Sequence, residues 1–466
     1  MRSFLFSFLF LLSALAAHAV VDSSRIISTI AGGDTSGFWG DGRPANSAGI
    51  WSPMSIVRDR FQNIYFVDCY NFRIRKIDTN NVISTVVGGG SFDIAGDTIA
   101  ATLARIHGVE GLCVDKTGNL YYTDIYSTRS EDGVFKVTPS GWVCRIAGGL
   151  GWGYNGDSIP ARLAKLDYPC GIDVDTLGNI YISERAGHRI RRIDTSLMIA
   201  TIAGNGSRTA FRDSVLGTTT GVRPWGLCVG PKNEIYFSDS VFIRKIDTNG
   251  YVRTIAGNGN VGCFLGAIST SAATLEAESS FFGSGVIAQM TMDDSGSIWA
   301  ANGGCNQILC LRNNDTIQTI PSNDTLCSLD LGDGGDCMVA HFCEPYGVVR
   351  LKNGHIYISD YTNNRIRCIG CKYVPNGVLK FESLPDFSLT VSPNPVQGSN
   401  LTFSIASSSH DIFPYRVTDL SGSTLISGDT QTNLRTTIPL ILPDGAYLLN
   451  VGLPPYNKTT MFLKFK

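Results

Sequence analysis

Alternating apolar and polar positions recur along this chain as two short strands around a polar turn. The clearest copy is Asn179–Asp194, NIYISERAGHRIRRID. Ile180 and Ile182 alternate before the turn, and Ile190 and Ile193 after it. That pattern predicts two strands joined by a tight turn. Close copies start at Asn63, Glu234 and His355, and looser ones at Asn119 and Ser297. Their sixth residues are Asp68, Asp124, Glu184, Asp239, Asn302 and Asp360, each 55 to 63 positions after the last. A long, nearly constant period is the signature of a repeat architecture.

Two further apolar segments travel with each copy. One lies upstream, as in Gly171–Asp175 (GIDVD), and one downstream, as in Leu197–Asn205 (LMIATIAGN). Six units of four strands with Gly-rich connections predict an all-β, six-bladed β-propeller. The downstream segment also occurs once before any repeat, as RIISTIAGG (Arg25–Gly33), and is missing after the sixth. An N-terminal strand that completes the last blade would close the ring and remove two exposed sheet edges.

The pattern resembles the NHL-repeat family. The resemblance rests on TIAGNG, on Pro169-Cys170-Gly171 and Pro345-Tyr346-Gly347, and on NIYIS followed by the RIR strand; it covers about residues 25–372. It implies the propeller fold and says little about activity, which must be argued from a site.

Met1–Ala19 reads as a cleaved export leader, with Arg2, an apolar run over Phe4–Ala17 and a small-residue site at Ala17-His18-Ala19. The run is short for a membrane span, and no other stretch is long enough. Residues 20–373 then form the propeller, 374–386 a linker, and 387–466 a second all-β unit. Charged residues make up 17% of the chain and the net charge is −2, which favours no nucleic acid or anionic lipid partner. Arg73-Ile74-Arg75-Lys76 and Arg189-Ile190-Arg191-Arg192 read as strands presenting a solvated or blade-bridging face. Export makes the thirteen cysteines disulfide candidates, above all the group from Cys305 to Cys371. Cys113 and Cys228 read as buried thiols.

In a four-stranded blade, the loop into strand one and the turn between strands two and three share one end. Met54, Glu110, Cys170, Trp225, Ala288 and Tyr346 should therefore surround the central mouth there. Trp225, Tyr346 and Glu110, with Trp51, Arg223 and Glu344 nearby, suit contacts with a peptide, protein or glycan, or else plug the channel. The lead-in loops carry Asp41, Asp97, Asp157 and Asp333. They resemble the GDG-x-PA segment of extracellular NHL arrays, and read as turns or as a carboxylate ring for calcium or sugar hydroxyls. Some NHL-like propellers are lyases with a histidine-held metal. That resemblance makes His107, His188 and His341 the zinc candidates of an alternative, metal-dependent lyase reading, though no matching motif surrounds them.

Residues 387–466 hold about seven short alternating strands, as in a small β-sandwich. They resemble the type A C-terminal sorting domain of the type IX secretion system. The marks are Pro393, Asn394 and Pro395, Gly422 in YRVTDLSG, and Gly445 and Tyr447 in LPDGAY. The resemblance implies passage through the type IX machinery to the outer-membrane surface or the medium. A secreted or surface binding scaffold is the function that the sequence favours.

Overall fold

The computed structural model describes residues 25–33, 35–94, 98–125, 132–209, 211–263, 267–272, 287–312, 315–320 and 332–370, and the strands of the C-terminal region. The chain divides into two units, Met1–Gly377 and Val378–Lys466.

In the first unit six sheets surround a central axis. Their innermost strands are Pro53–Arg58, Val109–Val114, Pro169–Val174, Pro224–Val229, Ile287–Met292 and Pro345–Arg350, one for each of blades one to six. The periodic unit is the second and third strands of each blade, as in blade three, where Ile180 pairs with Ile193 and Glu184 with Arg189. The N-terminal strand Ile27–Gly32 pairs with Arg365–Ile369 as the outer strand of blade six, so the first and last strands of the propeller build one sheet. Blades two to five gain a short fifth strand from the lead-in loop, such as Ile159–Pro160 against Met198 and Ile199.

A polar staple joins most neighbouring inner strands. In blade three the Ser183 hydroxyl accepts from Gly171 N–H at 2.8 Å and donates to the Trp225 carbonyl of blade four. Thr123 and Ser238 do the same from blades two and four. The inner-strand glycine lets the main chains approach: a Cβ on Gly226 would come within 2.8 Å of the Ala288 carbonyl oxygen. Blades one and five have Val67 and Ala301 instead of the hydroxyl and solve the problem differently. Ser55, on the inner strand itself, donates to the Glu110 carbonyl. Gln289 of blade five spans blade six and exchanges two hydrogen bonds, of 3.0 and 2.8 Å, with the Ile56 main chain of blade one.

The sequence reading placed the strand-three arginines on a solvated or blade-bridging face. Arg192 is exposed and Arg73, Lys76 and Arg189 are half-buried, but Arg75 and Arg191 are at most 2% exposed, as are Arg244 and Arg367 of blades four and six. Ile74 and Arg75, like Ile190 and Arg191, point to opposite faces of the strand and are all buried, so the middle of the third strand is covered on both sides. Cys113 and Cys228 are buried thiols, as expected. Of the crowded group, Cys305 is bonded to Cys263, Cys343 and Cys368 are in disulfides, and Cys310 and Cys337 remain thiols. Among the described residues no helix is long and apolar enough to cross a membrane.

The second unit has a three-stranded and a five-stranded sheet. Phe403 of the first meets Tyr415 of the second edge-on at 5.3 Å, with Leu401, Val417 and Leu449 also buried. Tyr447 donates its hydroxyl hydrogen to the Pro443 carbonyl at 2.8 Å. Gly445 opens a strand, while Pro393, Asn394, Pro395 and Gly422 lie outside the described residues.

Candidate functional site

The end of the propeller where the loops lead in is closed by its own side chains. Met54, Cys170, Trp225, Ala288 and Tyr346 belong to one buried cluster. The Tyr346 hydroxyl donates to the Glu110 carboxylate, and the Tyr168 hydroxyl does so at 3.5 Å. Burial raises the Glu110 carboxyl above its ordinary value, opposed by the Tyr346 hydrogen bond, Arg185 and Tyr168. The Arg185 guanidinium lies 3.9 Å from the Trp225 ring centre and 5.2 Å from that of Tyr168. Around this plug the rings become exposed. Tyr361 packs beside Tyr346 and bonds the Tyr70 hydroxyl at 3.4 Å; Tyr70 lies 5.3 Å from Trp51, which is 42% exposed. Farther out, Phe72, Phe92, Trp152 and Tyr154 project from the same turns and lead-in loops. Arg223 and Glu344 are half-buried and take part in loop structure. The Arg223 N–H donates to Asp239 at 2.6 Å, and Glu344 accepts from the Thr362 hydroxyl at 2.8 Å.

The lead-in aspartates are held by the buried arginines. Arg191 bridges Asp157 at 3.0 Å and Glu184 at 3.5 Å. Asp157 also accepts from the N–H and hydroxyl of Thr201 on the outer strand. Arg75 bridges Asp41 and Asp68, Arg244 bridges Asp213 and Asp239, and Arg367 bridges Asp333 and Asp360. Asp97 lies outside the described residues. The described aspartates thus fasten loop to blade, each on its own blade and each facing a guanidinium. That is a poor donor set for calcium, which needs several oxygen ligands on one ion.

The opposite end of the channel is open. A cavity of about 340 Å³ runs between the inner strands to the turns after them, with Arg58, Arg60, Lys116, Asp173 and Lys352 among its lining residues. Asp173 accepts from Val174 and Val229 N–H, both at 2.8 Å, and burial pushes its carboxyl up to about 6.

The NHL repeat family matches residues 342–369, which run from the approach to blade six through its third strand. The domain is a six-bladed β-propeller, and its sixth blade matches the NHL repeat. Mouse Teneurin-1 is 29% identical over 240 residues, 46% of this chain; the chain covers only 8% of that protein's length. Auxiliary nutrient binding proteins from Bacteroides thetaiotaomicron and Bacteroides ovatus superpose with a TM-score of 0.52 at 14% identity. The match spans 74% of this chain and 75% or 76% of theirs. At that identity the likeness is one of fold.

On this propeller the histidine candidates sit in three blades. His107 is in the loop into blade two, 3.9 Å from Asp124; His188 is in the second turn of blade three; His341 precedes blade six. Among the described residues no three His, Cys, Asp or Glu side chains gather as a metal group, so the candidates do not fit a three-ligand zinc site. Sequence reasoning missed Tyr168, Arg185, Tyr70 and Tyr361. Their signal was present: the last three lie one or two positions after the acid that ends strand two, in turns already placed at the mouth. It also missed the open cavity, whose cations lie in turns that look like ordinary surface.

Proposed function

We propose that the protein is an exported binding module and that the aromatic lead-in face of its propeller takes a protein, peptide or glycan ligand. The observation that carries this reading is the arc of exposed side chains at Trp51, Tyr70, Phe72, Phe92, Trp152 and Tyr154, which runs over blades one to three beside a sealed mouth. Large exposed aromatic groups on one face mark interaction surfaces. Trp225, Tyr346 and Glu110 then support the face from beneath, and Trp51 is the contact residue among the six rim candidates. The test is binding of the exported propeller to peptide and glycan arrays, alongside a Trp51→Ala/Trp152→Ala variant. Ligands lost in the variant at an unchanged melting temperature support the reading. Ligands bound equally by both proteins, or none at all, would sink it.

Export rests on the leader and on the likeness of residues 387–466 to a type IX sorting domain. We propose that this second unit is the address read by the secretion machinery, and that the propeller reaches the cell surface or the medium. Removing residues 387–466 should leave the propeller inside the cell envelope. Full recovery of the truncated protein in the medium would refute the sorting role.

A further inference from the structure

We propose that the open end of the channel, on the face opposite the aromatic rim, is a second binding site, for a small organic oxyanion such as a sugar acid or sugar phosphate. The plug at Tyr346, Glu110 and Trp225 turns the channel into a blind funnel with one mouth. Its volume, about 340 Å³, lies at the small end of ligand cavities, which suits a single substituted ring better than a polymer.

The charges at that mouth are unevenly used. Each carboxylate is engaged by the fold. Asp59 accepts from Phe61 and Asn63 N–H and from the Asn63 amide. Asp115 does the same with Thr117 and Asn119, and these bonds hold its carboxyl below the usual range against the effect of burial. Asp173 takes two main-chain N–H groups. Asp294 pairs with Arg58 at 2.8 Å. The remaining cations have no carboxylate partner. Arg60 stacks 4.6 Å from the Phe61 ring centre, and Lys116 donates to the Thr176 carbonyl. Among the described residues neither they nor Lys352 form an ion pair with a carboxylate. All three are exposed. They come from blades one, two and six, so only the closed ring assembles them. Three cations beside a blind polar funnel would recognise an oxyanion through charge-assisted hydrogen bonds.

The experiment titrates glucuronate, glucose 6-phosphate and inorganic phosphate into the full chain by calorimetry, at two salt concentrations. Binding of either sugar anion, weakened about tenfold or more by Lys116→Ala/Lys352→Ala, is the expected result. The Lys116→Arg/Lys352→Arg variant should retain it, and Trp51→Ala on the other face should leave it unchanged. Three outcomes overturn the proposal: no binding of either sugar anion, binding indifferent to both lysines, or inorganic phosphate binding as tightly as the sugar anions. The last would reduce the funnel to a free-ion site. Because the two sites use opposite faces, failure here leaves the aromatic face standing.

Discussion

Blades three and five solve the same packing problem with different chemistry. In blade three a buried guanidinium, Arg191, ties the acid that ends strand two to the aspartate of the lead-in loop. In blade five the corresponding positions are Leu309 and Asn302, both buried. The arginine and the acid have gone together. Blade two is intermediate: Phe135 replaces the arginine and stacks on Tyr122 at 5.0 Å, yet Asp124 remains. It can remain because His107 and Gly108 N–H groups both donate to it. An acid therefore survives in this position where a guanidinium or several main-chain donors face it. The comparison shows a clamp that fastens loops, and a plain core that does without one.

Breaking the clamp should have the largest effect. Arg191→Leu leaves Glu184 and Asp157 without their shared partner and should cost about 3–5 kcal/mol of stability, measured by chemical denaturation. A loss below about 1 kcal/mol would show that the ion pairs contribute little beyond their own desolvation. The blade-five combination, Arg191→Leu/Glu184→Asn, should recover part of that loss, because no buried charge is left unpaired. If the double variant is no better than the single one, the paired replacement seen in blade five has another cause.

A smaller effect concerns buried acids and pH. Burial pushes Asp173, which has no guanidinium, from 3.8 up to about 6, and pushes Asp68 to about 6 against the pull of Asn71, the Trp51 N–H and Arg75. Where the folded value is the higher one, the folded state holds the extra proton. The added stability is then complete below the unfolded value and is lost as pH rises through the folded one. The melting temperature should accordingly fall between pH 4 and pH 7. Asp173→Asn should flatten part of that slope; an unchanged slope would show that its two N–H donors already hold the ionised form.

Much of the architecture was legible in the sequence because a propeller repeats its strand alternation at a fixed period. The closing strand was legible for the same reason, as one surplus copy at the start and one deficit at the end. Burial of Arg75 and Arg191 was not. Alternation gives two faces to every strand, but only the packing of neighbouring blades tells whether both are covered, as they are at Ile74 and Arg75. The position of Trp225, Tyr346 and Glu110 at a channel mouth could be read from topology. Their convergence into a plug depends on side-chain sizes from six separate strands and could not. Arg60, Lys116 and Lys352 lie far apart in sequence, so their common mouth exists only once the ring closes.

The ring closes late. Arg25 pairs with Asp336, 311 positions away, and the first strand has no partner until the last blade is made. At ordinary synthesis speeds that is a wait of roughly 15–60 s, during which an apolar strand edge is open to any chain that offers a match. Two half-made copies could therefore exchange first strands and finish as a linked pair. The Gln289 bridge from blade five to blade one works against this, since it holds the inner strands on either side of blade six together within one chain.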